Sequence, residues 1–283
     1  MTQYKPVVIL GVIYNSYMET IRFIESIEHC FKKDVKLVLI DNSEITPDQS
    51  FMERIQGYDF ITYLKTEKNE GYFHGASSGL KYYLETYQVI PQWVIVCNVD
   101  IIFDTSLILE KLDSCENIPN LGVIAPAILS SQWKTDYNPF HMNRIPLKKL
   151  IFYRIIYSNF MIHNGYLLIH YVKRILKLIF LKKPTYKKSD VNPARNIYAP
   201  HGSCIIFNKN YFERGGTLDH ISFLFGEEIF VAETAKMLGL NVMYIPDLIV
   251  RHYEHSSIGN FISRKINKYY KQSIVNIIDN YYH

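Results

Sequence analysis

The sequence has few of the residues that mark several common protein classes. Only 13 glycines and 11 prolines occur in 283 residues, which excludes collagen-like and low-complexity architectures. The four cysteines are far apart and form no C-x-x-C pair, which excludes a disulfide framework and argues against a zinc ribbon or a redox pair. With 48% hydrophobic and 20% charged residues, the chain predicts a globular protein in a reducing compartment.

Signals for export and for membrane spanning are also missing. The opening residues MTQYKPVVILGVIYN lack a basic n-region and a small-residue cleavage site, so we expect a cytoplasmic protein. The 18 residues from Ile155 to Val172 contain no Asp, Glu, Lys or Arg. They include Asn164, His163 and His170, which makes the stretch too polar to predict a transmembrane helix.

Acidic residues are absent from one long segment. Residues 137–189 contain eleven Lys or Arg and no Asp or Glu, and the rest of the chain holds 20 basic and 27 acidic residues. Aliphatic and aromatic residues lie between the basic clusters, a pattern typical of helices that lie in an anionic membrane interface. We therefore expect peripheral contact with the inner face of the cell membrane; a pair of core helices with solvated basic flanks is the alternative.

Nucleic acid is not an expected partner. The basic clusters of this segment are separated by aliphatic stretches, and the isoelectric point of the whole chain is about 8.6, lower than in a typical nucleic-acid-binding domain.

The first hundred residues alternate short apolar runs with helical patterns, which predicts βαβ units and an α/β fold with a mostly parallel central sheet flanked by helices. In such sheets ligands bind at the carboxyl ends of the strands. The predicted strands are Val7–Tyr14, Val35–Ile40, Phe60–Leu64 and Trp93–Cys97, and the predicted helices are Glu19–Phe31 and Gly75–Tyr87. The polar residues that follow these strands are Asn15, Asp41, Asn69 with Gly71, and Asn98 with Asp100.

The second half predicts the same fold class with an insertion. The organisation is one catalytic domain over 1–256, which includes a basic, aromatic helical insertion at about 140–190, and a C-terminal helical tail over 257–283. The predicted strands are Gly122–Ile128, Tyr198–Phe207, Val242–Ile245 and Leu248–Arg251, and the predicted helices are Glu227–Leu238 and Phe261–Tyr282.

Two groups of side chains have the chemistry of a site. Asn98 and Asp100 follow a buried strand and offer oxygen ligands to Mg²⁺ or Mn²⁺, which needs one or two protein carboxylates when it also binds a diphosphate. Glu227 and Glu228 open a helix after a turn glycine, and a partly desolvated carboxylate pair is a source of a general base. The ordinary alternatives are a turn cap for Asp100 and a favourable helix dipole for the acids. His252 ends a strand and could complete a metal site.

Several ordered motifs resemble the inverting glycosyltransferases of family 2, which have the GT-A fold, and in particular the rhamnosyltransferase-like bacterial branch. The resemblance covers most of residues 6–256. Its motifs are VVILGVIYNS, LVLIDNSE, KNEGYFHGASSGL, CNVD in place of the family's D-x-D, and FLFGEEIFVAETAKMLGLNVMYIPDLIVRHYEHSS.

The resemblance implies a nucleoside-diphosphate sugar as donor. Asp41 corresponds to the acid that holds the base or ribose of the nucleotide; a turn residue is the alternative. Asn69 and Gly71 match a loop that passes close to the nucleotide, and Ser78 falls where relatives carry a polar residue that faces the donor. Asn15, at the end of the first strand, belongs to the same expected donor site.

The resemblance also implies the catalytic roles. Asp100 is the expected metal ligand, with His252 completing the site and Asn98 beside them, although Asn98 replaces the first acid of the D-x-D motif. Glu228 is the expected base that takes the proton of the acceptor hydroxyl, and Glu227 is expected to position it; either acid could be the base. The expected acceptor is a glycan, carried on a polyprenyl diphosphate, in cell-surface polysaccharide synthesis.

Three other functions compete with this interpretation. A sugar nucleotidyltransferase needs a Gly-rich, basic first loop, and GVIYNSYMET has neither feature. A non-catalytic scaffold or membrane-associated assembly protein is favoured by the loss of the first acid in NVD. A dinucleotide oxidoreductase is disfavoured because the first βα turn lacks G-x-G-x-x-G.

Overall fold

The computed structural model describes residues 6–31, 35–105, 107–131, 135–180, 193–253 and 262–282. Within them, nine strands form one sheet with helices around it. The strands are β1 Val7–Ile13, β2 Lys36–Asp41, β3 Ile61–Lys65, β4 Trp93–Asn98, β5 Ile101–Phe103, β6 Leu121–Ser130, β7 Arg195–Ile197, β8 Cys204–Asn208 and β9 Asn241–His252. The helices are α1 Tyr17–Phe31, α2 Gln49–Gln56, α3 Tyr72–Tyr87, α4 Ile108–Cys115, α5 Leu147–Ser158, α6 Phe160–Phe180, α7 Lys209–Glu213, α8 Glu227–Met237 and α9 Arg264–Tyr281.

The α/β fold is confirmed, and the two halves of the sheet differ. The strand order is β3-β2-β1-β4-β8-β6-β9-β5, with β7 paired to β9. The first four strands in this order are parallel to one another, as βαβ units require. Strand β8 runs antiparallel to both of its neighbours. The expectation of a mostly parallel sheet therefore holds for the N-terminal half, while the C-terminal half is mixed.

The sequence patterns mislocated some elements of the C-terminal half. The strand expected at Tyr198–Phe207 is wrong: β7 and β8 are separated by a loop at 198–203 that contains His201 and Gly202. The two strands expected at Val242–Ile245 and Leu248–Arg251 form the single strand β9, whose register against β6 shifts between Ile245 and Ile249. Because Pro246 lacks an N–H group, an interruption of the ladder at this point is expected.

The helical insertion is confirmed in the described residues by α5 and α6, and the C-terminal helix by α9; residues 181–192 of the insertion lie outside the described residues. Helices α5 and α9 share a small apolar core with the start of α8, formed by Ile145, Leu150, Ile229, Ile274, Ile277 and Tyr282. The insertion and the tail therefore pack together on the helix that begins with the acid pair. The division into domains at 256/257 stays a prediction.

A buried ion pair fixes this helical layer to α8. The Glu233 carboxylate is 3% exposed and accepts from both Arg144 Nε, at 2.6 Å, and Arg144 Nη2, at 3.1 Å. The Tyr198 hydroxyl donates to the same carboxylate at 2.6 Å. The Arg144 guanidinium also lies 3.9 Å from the ring centre of Tyr282. The start of the insertion, α8 and the end of the tail are thus joined by one charged network.

Two expectations from composition concern the whole molecule. Cys30, Cys97, Cys115 and Cys204 are all buried and all free thiols, in agreement with the absence of a disulfide framework. In the part of the chain that the structure describes, no helix combines the length and the apolar character needed to cross a bilayer.

Candidate active site

Asp100 and His252 meet at the carboxyl end of the parallel half-sheet. Strand β4 ends at Asn98, the chain turns through Asp100, and β5 then pairs antiparallel with the end of β9, so that Ile101 lies opposite His252. The backbone N–H of Tyr253 donates to the carbonyl of Asp100 at 3.0 Å. His252 Nε2 lies 3.1 Å from Asp100 Oδ2. Two residues that are 152 positions apart in sequence are thus brought together by a three-residue edge strand.

The polar atoms of this pair are incompletely satisfied. Within the described residues, Asp100 Oδ1 and His252 Nδ1 are buried and have no hydrogen-bond partner. Such atoms are costly to bury unless a ligand pairs with them. A carboxylate oxygen and a neutral imidazole nitrogen together suit a divalent cation. The residues present therefore fit a metal ion better than they fit a closed structural ion pair.

No cluster of three or more His, Cys, Asp or Glu side chains in the described chain is arranged to hold a metal. A cation at Asp100 and His252 would thus take its remaining ligands from water and from a bound ligand, as Mg²⁺ and Mn²⁺ do when they bridge a diphosphate. A cleft of about 530 Å³ borders this position; it is lined by Asp100, Val99 and Tyr253 together with Arg22 and His29 of α1.

The acid pair begins α8 after a strained turn. Phe225 has φ +70° and Gly226 has φ +87°, and the left-handed region is costly for an aromatic residue. A Cβ on Gly226 would lie 2.5 Å from Ser273 Oγ, so this position needs glycine. Helix α9 supports the turn: Ser273 Oγ donates to the Phe225 carbonyl at 2.7 Å, and the rings of Phe225 and Tyr270 stack with centres 3.8 Å apart.

The two acids occupy different environments. Glu227 is buried and accepts the Phe225 N–H at 2.9 Å; burial and the nearby charge of Glu228 raise its pKa to about 8. Glu228 is partly exposed, and burial raises its pKa although its own N–H and that of Gly202 oppose the shift. Both carboxyls therefore hold a proton at a higher pH than an ordinary glutamate does.

The loop at 198–203 lies between the acid pair and the Asp100–His252 pair. The ring of His201 lies 6.4 Å from that of His252, and a Cβ on the adjacent Gly202 would lie 2.8 Å from Glu228 Oε1. Tyr72 donates to the Gly202 carbonyl at 2.9 Å.

The pKa of Tyr72 is affected by both the acid pair and the Asp100–His252 pair. Its pKa is raised well above the usual value by burial and, among the nearby charges, by those of Glu227 and Asp100. The structure therefore brings the expected metal ligands and the expected acids to one region, separated by this loop and by Tyr72.

Asp41 is held entirely by protein groups. Its carboxylate is fully buried and accepts from Tyr63 Oη at 2.6 Å, Tyr17 Oη at 3.0 Å and the Ser43 N–H at 2.8 Å, while Lys65 Nζ lies at 3.3 Å. Burial would raise the pKa of this carboxyl, but these hydrogen bonds outweigh burial and lower it. The geometry favours the turn-anchoring interpretation, and the expected contact with a nucleotide stays a prediction.

The other expected donor residues line the neighbouring loops. Asn15 is exposed at the end of β1 with φ +54°, and its N–H donates to Ser43 Oγ at 2.8 Å. Asn98 is partly buried at the end of β4, opposite Val12 of β1. Ser78 lies on an exposed part of α3 and donates to Glu70 Oε2 at 2.8 Å.

Asn69 and Gly71 shape the turn before α3. Asn69 Oδ1 accepts the Gly71 N–H at 2.9 Å. Gly71 has φ +88°, and a Cβ there would lie 2.1 Å from the Phe223 carbonyl oxygen. The glycine is thus required by the close approach of the loop that leads to the acid pair, a reason that the sequence did not supply.

Sequence reasoning missed four residues of this region: Tyr72, His201, Tyr270 and Ser273. The HGSC segment was included in a strand, which hid the loop that carries His201. Burial and the nearby charge of His252 lower the His201 pKa to about 4, so its ring is neutral near pH 7. Tyr270 and Ser273 belong to the C-terminal tail, which the sequence predicted as a helix without a role in the site.

The sequence matches no known family model, but relatives exist. Over 288 residues it is 21% identical to the N-acetylglucosaminyl-diphospho-decaprenol L-rhamnosyltransferase of two Mycobacterium tuberculosis strains, CDC 1551 / Oshkosh and ATCC 25618 / H37Rv; the match spans 99% of this chain and 85% of each relative.

Two solved structures share the fold. GalNAc-T7 with UDP, GalNAc and Mn²⁺ superposes with a TM-score of 0.64 at 14% identity, over 97% of this chain and 48% of that one. A mannosyltransferase from Pyrobaculum calidifontis in complex with GDP-Man and Mn²⁺ gives a TM-score of 0.54 at 13% identity, over 99% of this chain and 66% of that one. The chain thus spans about half of the first structure and two thirds of the second.

The chain has the GT-A fold that these two glycosyltransferase structures share, as its motifs predicted. Its sequence is similar to that of the mycobacterial rhamnosyltransferase described above.

Proposed function

We propose that the chain is an inverting, metal-dependent glycosyltransferase of family 2 that moves a sugar from a nucleoside diphosphate to a hydroxyl of a glycan acceptor. The observation that carries this proposal is the juxtaposition of a buried, unsatisfied Asp100–His252 pair with an acid pair whose carboxyls hold raised pKa values. The first suits a cation at a diphosphate, and the second suits removal of a proton.

Asp100 and His252 would hold the divalent metal, with Asn98 beside them. When bound, the metal neutralises charge on the departing nucleoside diphosphate. The chain's own contribution is to fix Asp100 between β4 and β5 and His252 at the end of β9. The Mn²⁺ and nucleotide ligands of the two structural neighbours support a donor of this kind.

Glu228 is the proposed base. It is the more exposed of the two acids, whereas Glu227 is buried and has one oxygen engaged with the Phe225 N–H. Glu228 would accept the proton of the acceptor hydroxyl while that oxygen attacks the anomeric carbon opposite the leaving diphosphate, which gives inversion in one displacement. Glu227 would position Glu228, and the charge of Glu228 helps to keep the pKa of Glu227 high.

The proposed acceptor is a glycan on a polyprenyl diphosphate, used in cell-surface polysaccharide synthesis at the inner face of the cell membrane. The support is the mycobacterial relative, whose name specifies a diphospho-decaprenol-linked sugar, together with the acid-free, apolar and basic insertion.

The proposal is tested with sugar nucleotides and Mn²⁺. UDP-, dTDP- and GDP-sugars are screened for thermal stabilisation with and without Mn²⁺, and donors that bind are assayed for transfer to an N-acetylglucosaminyl-diphospho-polyprenol and for donor hydrolysis. We expect at least one donor to bind in a Mn²⁺-dependent way and to be turned over. Binding without hydrolysis or transfer would instead indicate a non-catalytic scaffold.

A further inference from the structure

The helices α5 and α6 form a hairpin, which we call the basic hairpin (147–180), with a large exposed apolar surface. Met161 is 78% exposed, Ile155 58% and Ile169 56%. Isolated exposed apolar residues are normal on a protein surface, but twelve on two packed helices mark a contact surface. The exposed members are Leu147, Ile151, Phe152, Ile155, Met161, Ile162, Leu168, Ile169, Tyr171, Val172, Ile175 and Leu176.

The distal part of α6 contacts little of the protein that the structure describes. Residues 168–173, 175 and 176 are all exposed, and they cover every side of the helix. Most of them are aliphatic or aromatic, and a helix that is apolar on all sides is stable only when something covers it. The proximal part differs, since His163 is buried and Nδ1 of its ring lies 2.8 Å from Asn267 Oδ1 of α9.

The charge of the hairpin identifies what covers it. Lys148, Lys149, Arg154 and Lys173 are exposed along the apolar surface, and residues 137–189 contain no acid. We propose that the basic hairpin docks on a phospholipid bilayer with anionic headgroups, with its apolar side chains inserted at the interface and its cations at the phosphates. A second copy would bring like charges together. In this arrangement the hairpin lies in the surface of the bilayer.

The hairpin is joined to the acid pair by packed rings and aliphatic side chains. Tyr157 of α5 contacts Tyr270 with ring centres 5.2 Å apart, and Tyr270 stacks on Phe225 at 3.8 Å. Leu150 shares a core cluster with Ile229 of α8. Docking would therefore hold the acid pair next to the bilayer. Docking would then present the diphosphate end of a lipid-linked acceptor to Glu228. This role of docking rests on the function proposed above.

The test is cosedimentation of the full chain with phosphatidylcholine vesicles, with and without phosphatidylglycerol, at low salt. We expect sedimentation with the anionic vesicles. Lys148→Glu/Arg154→Glu/Lys173→Glu should weaken binding at least about a hundredfold, since each cation contributes about fivefold. Ile155→Ser/Leu168→Ser/Val172→Ser should weaken it at least about tenfold. The matched control Lys81→Glu/Met237→Ser changes exposed residues outside the hairpin and should sediment like the wild type, and circular dichroism confirms that all variants are folded.

Two results would overturn the docking proposal. One is failure of the wild type to sediment with anionic vesicles, or sedimentation that neither hairpin variant reduces. The other is a concentration-dependent dimer in light scattering that the serine variant abolishes, which would make this surface a contact between copies. Donor hydrolysis in detergent-free buffer separates docking from catalysis: a wild type that sediments but lacks hydrolysis and transfer retains docking and loses the proposed enzymatic function.

Discussion

Two buried carboxyl groups of the molecule, those of Asp41 and Glu227, have pKa values shifted in opposite directions. At the end of β2, Asp41 is fully buried and accepts from two tyrosine hydroxyls and one backbone N–H, and its pKa is lowered. At the start of α8, Glu227 is equally inaccessible but accepts from one loop N–H and adjoins a second acid, and its pKa rises to about 8. Burial alone therefore does not decide how a carboxyl behaves.

The number of donors around each carboxylate makes the difference. Hydrogen bonds to the charged form stabilise it, whereas desolvation and a like charge destabilise it. Asp41 is consequently fixed as a permanent anion that joins the end of β2 to α1 and β3. The Glu227–Glu228 pair binds a proton that exchanges readily, in the same region as the expected metal ligands. Asp41 therefore has a structural role, whereas the Glu227–Glu228 pair has the properties of a proton-transfer site.

The largest expected effect is at Glu228. Glu228→Gln removes the proposed base with little change in shape, so turnover should fall by about 10²–10⁴-fold while the donor dissociation constant stays nearly unchanged. Steady-state kinetics and calorimetric titration of the donor provide the two readouts. If turnover of Glu228→Gln stays within a few fold of wild type, another residue is the general base.

Asp41→Asn should act on stability. The substitution removes the buried charge that three donors and Lys65 surround, so the free energy of unfolding should fall by about 2–4 kcal/mol in urea titrations. The donor KM should change little if Asp41 is only an anchor. Tyr63→Phe, which removes one donor from the same carboxylate, is the matched control and should cost about 1–2 kcal/mol. A large rise in KM with unchanged stability would restore the nucleotide-binding role.

Glu227→Gln should leave the acidic limb of the activity profile, along which activity rises as the base Glu228 loses its proton, nearly unchanged. Because the pKa of Glu227 is raised to about 8, its side chain is neutral at lower pH, and glutamine removes no charge there. If Glu227 were the base, this variant would lose activity at every pH.

The same variant gives a test of stability with a defined sign. Because the folded-state pKa of Glu227 is raised to about 8, its protonated form favours the fold at low pH, and that contribution is lost as the pH rises toward 8. Glutamine removes this dependence. The Tm of Glu227→Gln relative to wild type should therefore increase from pH 5 to pH 9; a constant difference would contradict the raised pKa.

The smallest expected effect is at α9. Ser273→Ala removes the hydroxyl that donates to the Phe225 carbonyl and should cost about 1 kcal/mol of stability, with a fall of a few fold in turnover as the acid-pair turn loosens. The control Gln272→Ala changes an exposed neighbour. Equal effects of the two substitutions on turnover would show that α9 does not support the acid-pair turn.

The sequence predicted the parallel half of the fold well because three of its four strands, β1, β2 and β4, are short, apolar and buried on both faces. Val7–Ile13 and Trp93–Asn98 differ from the predicted bounds by one residue. The mixed half was harder because its strands pair with partners distant in sequence. Pro200 and Gly202 in the PHGSC segment are turn signals that argue against one continuous strand there. Nothing local indicates that a three-residue strand places Asp100 beside His252.

The candidate site was predictable in part. The residue types and the family motifs pointed to Asp100, His252, Glu227 and Glu228, and the structure brings these four together. The surroundings were not predictable: the carboxylate of Asp41 is occupied by Tyr63 and Tyr17, and Gly71 is needed for contact with the loop at 223. Such contacts depend on tertiary packing, which no spacing in the sequence encodes.

The most direct test of the central claim is a set of thermal-shift titrations with UDP and GDP, with and without Mn²⁺, on the wild type, Asp100→Asn and Glu228→Gln. The account predicts that at least one nucleoside diphosphate stabilises the wild type in a Mn²⁺-dependent way. This stabilisation should be lost in Asp100→Asn and kept in Glu228→Gln. Undiminished, Mn²⁺-dependent stabilisation of Asp100→Asn, or no stabilisation of the wild type by either nucleotide, would contradict it.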